Sequence, residues 1–557
     1  MVRWSRPAAA SRASSIPGTE VTSRGELSLA DWLEMVGQLR HAPEWSAFGG
    51  GPVEMAQTHI SVVLLGRERV LKLKKPVDFG FLDYTTFEKR RRACEAEVEL
   101  NRRLCDETYL GVQPIVEKDG VPRLAGAGRP LDHAVLMRRL PADRMLDEMV
   151  HRGSVTESII DRVAERLSRF HRTAERGPAV DVWGSWEAIR ENWEENFTQT
   201  RPFIGRTISP VAYQTVERWV GERLRGDRAL FDARVRDGHV VDGHGDVRCD
   251  SVCITDGICI FDCIEFSDRF RCGDVASEVA FLAMDLDARG RPDLGYYFAE
   301  RYAARATDTG LFRHLPFYRC YRAWVRGKVL SLSLDEAEID AEEKKKAAER
   351  AAGYFDLARR YAAPLNRPTV IVVMGLAGTG KTSLARAVAG ELGLRVVSTD
   401  VVRQQLLAGE KGAAAYGEGA YRAEATRKTY EEQRRQGEAL HASDGGVVLD
   451  GTFLREDDRE PVCIMAREAG AALRWVECDL PPELVRERIE GRRKRGDGLS
   501  DATWEIHFRQ REERDSRPRP DLQGHLVVDM RRELAASARH ATDWFRQREA
   551  GDAAHRD

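Results

Sequence analysis

The run Gly375-Leu376-Ala377-Gly378-Thr379-Gly380-Lys381-Thr382-Ser383 follows directly on the apolar stretch 369–374. Without a Cβ, Gly375, Gly378 and Gly380 let successive backbone N–H groups, those of Thr379 and Ser383 among them, turn inward around a polyphosphate. Lys381 supplies a mobile positive charge for the β- and γ-phosphates, and Thr382 a hydroxyl for Mg2+. A helix starting near Ser383 adds the positive end of its dipole. The pattern predicts binding of a nucleoside triphosphate, ATP or GTP, with magnesium.

The chemistry done on that nucleotide depends on the groups that face it. Ser398-Thr399-Asp400 ends the next apolar strand. In an open parallel sheet the carboxyl ends of strands line the ligand crevice, so Asp400 is placed to accept a proton from an attacking hydroxyl. Asp450, ending VVLDGTF, suits the magnesium shell. Arg488 and Arg492, spaced i and i+4 on a predicted helix, share a face and can neutralise charge developing between donor and acceptor; a solvated basic helix is the competing reading. Nearer the N-terminus, Asp246 in Gly243-His244-Gly245-Asp246 and Asp262 in Ile260-Phe261-Asp262 flank a predicted hairpin turning at Asp256-Gly257. Two converging carboxylates can divide labour, one as proton acceptor and one as metal ligand, while two hairpin aspartates facing water is the alternative.

Two patterns of elements must position these groups. Residues 28–39 read as a short amphipathic helix capped by Ser28. HISVVLLG, a turn at Arg67-Glu68 and RVLKLKKPV read as paired strands, and 88–104 as a long charged helix. From about Met145 to Tyr361 the chain is mostly helical, with a β-rich patch at 239–266. This predicts a two-lobed α+β domain. Beyond a linker at Pro364–Pro368, strands at 369–374, 395–398, 446–450, 473–478 and 525–529 alternate with helices, which predicts an α/β, doubly wound parallel sheet. The expected division is a tail and short helix over 1–47, the two-lobed domain over 48–365, the phosphate-loop domain over 366–535, and a C-terminal helix or tail over 536–557.

A chain of 557 residues is too long for one core. Its 87 basic and 90 acidic side chains leave a formal net charge of -3, so no global field draws nucleic acid or an anionic membrane. No aromatic-basic stripe is present either, so nucleic acid is not a favoured partner. The absence of a signal-like or membrane-length apolar run predicts a cytoplasmic protein with no membrane partner. Cys249, Cys253, Cys259, Cys263 and Cys272 crowd one segment, but their spacing lacks the paired C-x-x-C of zinc sites, so reduced structural thiols are expected.

The motifs G-L-A-G-T-G-K-T, S-T-D-V-V-R, L-D-G-T-F, the arginine-rich lid and L-S-D-A-T with Gln510 resemble the small P-loop kinases that include gluconate kinase, chloramphenicol phosphotransferase, zeta toxins and the kinase domain of polynucleotide kinases. That resemblance implies Asp400 as the base and Arg403 as a contact to the acceptor. H-G-D-x-x-x-x-S-V followed by F-D-C-I-E-F resembles the catalytic and metal loops of aminoglycoside phosphotransferases, whose usual form is H-G-D-L-H-x-x-N. With THISVVLLGRERVLKLKK, DVAS and FYRCYRAWVRGKV, the chain over about 50–535 resembles a bacterial family that fuses this kinase-like domain to a P-loop kinase. The resemblance implies Asp246 as base, Asp262 as magnesium ligand, Lys72 on the ATP phosphates with Lys74 as the alternative on the same strand face, and Glu97 as the lysine's helix partner. Ser251 stands where the pattern has its metal-binding Asn, Arg248 where it has a second His, and Asp250 where it has a small residue. The lost amide oxygen removes an ordinary ligand of a second metal, for which Ser251 or Asp250 is the candidate replacement.

The expected function is an ATP- and magnesium-dependent phosphotransferase with two nucleotide sites, acting on a hydroxyl of a small molecule such as a sugar, antibiotic or nucleoside. Two alternatives stay open. In one, the N-terminal domain is a non-catalytic substrate-binding or regulatory pseudokinase. In the other, the P-loop domain phosphorylates nucleic-acid 5′ ends or nucleotide-sugars.

Overall fold

The computed structural model describes residues 27–80, 82–336, 339–406, 423–495, 502–516 and 522–554. Most of the expected N-terminal tail, the lid residues 496–501 and residues 555–557 lie outside this range. By packing, the chain divides into two compact units, one of Met1–Gly153, Arg169–Gly184 and Gly238–Glu278, the other of Ser154–Ser168, Ser185–Asp237 and Val279–Asp557.

In the first unit, β1 (Glu54–Gln57), β2 (Ser61–Leu65), β3 (Arg69–Lys74), β4 (Tyr109–Lys118), β5 (Val121–Arg123) and β6 (Arg129–Arg138) form an antiparallel sheet in the order β1-β2-β3-β6-β4-β5. Alternate side chains of a strand face opposite sides, and here both sides are covered. Val62, Leu64, Leu71 and Leu73 pack on Trp32, Val36 and Leu39 of the helix Leu29–Leu39, which is thus part of this core. Val63 and Val70 pack on Cys94 and Val98 of the helix Phe87–Cys105. Two small antiparallel ladders complete the unit: β7 (Val240–Asp242) with β10 (Cys272–Asp274), and β8 (Val252–Ile254) with β9 (Ile258–Ile260), turning at Asp256-Gly257 as predicted. They fix both ends of the loops that carry Asp246 and Asp262.

One expectation is corrected here. Cys259 is joined to Cys105 in a disulfide, Cα to Cα 4.7 Å, because β9 lies across the C-terminal end of the Phe87–Cys105 helix. Cys249, Cys253, Cys263 and Cys272 are buried free thiols, as expected.

In the second unit, β11 (Thr369–Met374), β12 (Val396–Ser398), β13 (Gly446–Asp450), β14 (Ala472–Asp479) and β15 (His525–Asp529) form a wholly parallel sheet in the order β12-β13-β11-β14-β15. Helices cover both faces, which is why these strands read as continuous apolar runs. On one face Ile371, Val373 and Val476 pack with Leu384 and Val388 of the helix Lys381–Leu392 and with Phe545 of the helix Leu534–Ala554. On the other, Val370, Val372 and Leu449 pack with Val402, Val462 and Met465. Burying each such side chain contributes about 1.5–3 kcal/mol relative to leaving it exposed.

Helices upstream of the sheet join this unit. Tyr296, in the helix Pro292–Ala306, belongs to the same core, and its hydroxyl accepts a hydrogen bond from Val396 N at 2.9 Å. That contact gives the edge strand β12 a partner for an N–H that no neighbouring strand takes up. Arg319, fully buried in the helix Leu311–Leu332, donates from Nη1 to Gly390 O at 3.0 Å, where the P-loop helix ends. Among the described residues no helix is long and apolar enough to cross a membrane.

Candidate active sites

The phosphate loop is built where β11 turns into the helix Lys381–Leu392. Gly378 has φ +80°, and a Cβ there would lie 2.9 Å from Val485 and Ile489 of the helix Pro482–Arg495. Gly380 has φ +99° and caps the following helix. Both positions need a residue free of the left-handed penalty, and Gly378 also needs the space. Gly375, at φ +148°, packs against the Cys478 carbonyl of β14. The loop is held from a second helix, Trp504–Asp515: Gln510 Oε1 accepts from Ala377 N (2.8 Å) and His507 Nδ1 bonds Ala377 O (2.8 Å).

Thr382 Oγ1 donates to Asp450 Oδ2 at 2.8 Å, and Ser398 Oγ donates to the same oxygen at 2.8 Å. The other carboxylate oxygen of Asp450 is buried and has no hydrogen-bond partner. Burial raises the Asp450 pKa, opposed by the nearby Lys381 charge. A buried carboxylate with a spare oxygen beside a hydroxyl on a helix N-terminus fits a hard, oxygen-seeking cation, and would hold magnesium against the β- and γ-phosphates. Gln433, on the helix Ala423–Asp444, donates to Val397 O (2.7 Å) and Asp450 O (2.9 Å), tying together the ends of β12 and β13.

A cavity of about 290 Å³ opens beside this cluster, lined among others by Lys381, Thr382, Asp400, Arg403, Asp450 and Gln510. Asp400 and Arg403 pair with each other in the helix Thr399–Leu406, so the spacing read from the sequence brings them to one wall. Lys381 Nζ donates to Leu376 O at 3.2 Å. Arg488 reaches the loop from the helix Pro482–Arg495, donating to Met530 O (2.6 Å) and Thr379 O (3.4 Å). Arg492 lies one turn further along that helix and is not among the cavity's lining residues.

The first unit gathers a different cluster. Lys72 Nζ on β3 donates to Glu97 Oε1 (2.8 Å) and Asp262 Oδ1 (2.7 Å). Burial works against the Lys72 charge, but Asp262 and Glu97 overcome it and raise its pKa; Lys72 in turn holds the Asp262 carboxyl well below its usual range. Lys74 is fully buried, paired with Glu97 and Glu265, and Glu265 also accepts from Tyr84 Oη (2.7 Å). Of the two lysines left open by the sequence, Lys72 is therefore the one that meets Asp262. Asp262 itself has φ +66°, a conformation that a non-glycine residue adopts only where its surroundings hold it.

Asp246 is engaged by its own loop. Arg248 donates from Nε to Asp246 Oδ1 (3.0 Å) and from Nη2 to Oδ2 (3.1 Å), while Nη1 donates to Asp250 (2.7 Å). Ser251, only 2% exposed, accepts from Arg248 N (2.9 Å) and lies 3.1 Å from Asp246 O and 3.0 Å from Arg248 O. The charges of both Asp246 and Asp262 act on His244, although burial keeps the His244 pKa low. The loop is anchored by Glu278, which accepts from His244 N and Gly245 N and pairs with His171 (2.8 Å). Burial alone would raise the Glu278 pKa, but His171, His244 and the Gly245 N–H hold it at about 2.

Arg248, Glu265, Glu278, Gln433 and His507 carry roles that sequence reading did not assign. Arg248 was visible as a departure from a pattern and Glu265 lies within F-D-C-I-E-F, where no role was read for it; Glu278, Gln433 and His507 sit in helices.

Comparison with known proteins gives two family matches, the first of which includes residues of both compact units. Residues 64–316 match the Phosphotransferase enzyme family and residues 370–516 the AAA domain. An uncharacterized protein of Mycobacterium tuberculosis is 36% identical over 462 residues, covering 82% of this chain and 88% of its own. An uncharacterized protein of Mycobacterium bovis matches to the same extent, 36% over 462 residues. Among solved structures, a gluconokinase from Sinorhizobium meliloti is 21% identical over 33% of this chain and 97% of its own, with TM-score 0.25. A choline/ethanolamine kinase family protein from Mesorhizobium loti is 12% identical over 60% of this chain and 99% of its own, with TM-score 0.35.

Proposed function

Since this chain belongs to the family of the mycobacterial relatives, in which a phosphotransferase segment is fused to a P-loop kinase segment, we propose that its second unit transfers the γ-phosphoryl group of ATP to a hydroxyl of a small molecule. The observation that carries this reading is that Lys381, Thr382, Asp400 and Asp450 line one cavity, which supports phosphate, magnesium and base roles for them.

Magnesium, held by Thr382 and Asp450, would supply charge neutralisation at the β- and γ-phosphates. Lys381, released from Leu376 O, pairs the γ-phosphate. Asp400 accepts the acceptor hydroxyl's proton as its oxygen bonds to the γ-phosphorus and the bond from that phosphorus to the β,γ-bridging oxygen breaks, releasing ADP, and Arg403 holds both that carboxylate and the acceptor in line. Gln510 and His507 fix the loop geometry through Ala377. The first unit, in this reading, is a second nucleotide site in which Lys72 meets phosphate and Asp262 a metal ion.

An ADP-release screen over sugars, aminoglycosides, nucleosides and 5′-hydroxyl oligonucleotides tests the proposal. Turnover with a small-molecule acceptor that Lys381→Ala removes is the expected outcome. Preferential use of 5′-hydroxyl oligonucleotides would replace the small-molecule reading with nucleic-acid end phosphorylation, and turnover indifferent to Lys381→Ala would move the chemistry to the first unit.

A further inference from the structure

Three departures in the first unit fall within four residues of one another, and the geometry links them. The kinase-like pattern implies a second metal ion held by an amide oxygen at position 251. Ser251 does not fit that role: its side chain is short, 2% exposed, and its hydroxyl closes the turn Cys249–Ser251 by accepting from Arg248 N. In the same loop Arg248 replaces a neutral ring with a permanent cation. Its guanidinium grips Asp246 through two hydrogen bonds and Asp250 through a third, and is 11% exposed. A dication placed beside it would meet like-charge repulsion at short range.

We propose that the Arg248 guanidinium takes the place of the second divalent cation, so that the first unit binds a nucleotide with one metal ion, at Asp262. The loss of the amide ligand and the gain of the arginine are then one change: a fixed charge delivered by the chain where an exchangeable one is otherwise recruited. Among the described residues no group of three or more His, Cys, Asp or Glu is arranged to hold a metal ion, consistent with a site that relies on nucleotide phosphates for most of its metal ligands. The inference rests on the reading of the first unit as a nucleotide site, and its test separates the two.

The experiment uses the full chain carrying Lys381→Ala and Thr382→Ala, which weakens the P-loop site, with a non-hydrolysable ATP analogue and Mn2+ counted by electron paramagnetic resonance. One Mn2+ per bound nucleotide is expected, rising to two when Arg248→His and Ser251→Asn are added together. Arg248→Ala alone should weaken analogue binding roughly tenfold, and Arg248→Lys should restore most of it, as expected for a charge-assisted contact. Two Mn2+ ions with Arg248 in place overturns the inference. So does a count of one in every variant with no loss of affinity in Arg248→Ala. Absence of any analogue binding at the first unit overturns the nucleotide-site reading itself, and the inference with it.

Discussion

The two candidate sites solve the same electrostatic problem in opposite ways. In the P-loop site the groups aimed at phosphate and metal are backbone amides, hydroxyls, the single lysine Lys381 and one buried carboxylate, and the sheet gathers them by ending β11, β12 and β13 at the same edge. In the first unit every implied functional carboxylate already has a cationic partner: Asp262 with Lys72, Glu97 with Lys72 and Lys74, Asp246 with Arg248. A loop of amides costs little to leave ready, because the dipoles are fixed by the fold. A cluster of opposite charges must be partly separated before it can act on a ligand, and each separated partner loses an interaction. On the function proposed above, the second unit is poised for transfer and the first for holding charge.

The largest expected effect breaks the P-loop half of that comparison. Lys381→Ala should lower kcat/KM by roughly 10³ to 10⁵ while leaving thermal stability unchanged, because the lysine contributes charge over the γ-phosphate and no core packing. Asp400→Asn should lower kcat by roughly 10² to 10⁴ with KM for ATP little changed, since the amide keeps the shape but takes no proton. A parallel fall in ATP affinity would make Asp400 a metal or structural group.

The first unit offers a pH test. Glu278 has its pKa held down to about 2 against an ordinary value of 4.5, so its contribution is full above 4.5 and is lost as pH falls towards 2. Glu278→Gln should therefore be destabilised by about 3 kcal/mol near neutrality, with the gap in Tm to the wild type closing as pH is lowered from 6 to 3. A gap that stays constant across that range would show that Glu278 anchors the loop by shape and hydrogen bonding alone.

The smallest effect sharpens the P-loop half. Tyr296→Phe removes one acceptor from the edge of β12, the strand that leads into Asp400, and should cost about 1 kcal/mol of stability with a modest fall in kcat.

Much of this was legible in the chain. The five parallel strands appear within one residue of their predicted limits, because strands buried on both faces leave uninterrupted apolar runs bounded by turns. The P-loop was legible because its glycines are demanded by backbone geometry that few other sequences satisfy. Strands β4, β5 and β6 were not read: Gly111, Pro114, Asp132 and His133 interrupt their pattern, and their pairing is fixed by β3 and the Phe87–Cys105 helix across the sheet. The role of Arg248 was illegible for a different reason, since a sequence shows that a residue has changed but not which carboxylates it grips. The link between Cys105 and Cys259, far apart in sequence, likewise depends on where β9 crosses a helix end.

The most direct test of the account sets Lys381→Ala beside Asp246→Ala in the full chain, reading ADP release with the best acceptor at saturating MgATP. The account predicts that Lys381→Ala loses nearly all turnover and that Asp246→Ala keeps most of it. Turnover that survives in Lys381→Ala and disappears in Asp246→Ala would contradict it and place the chemistry in the first unit.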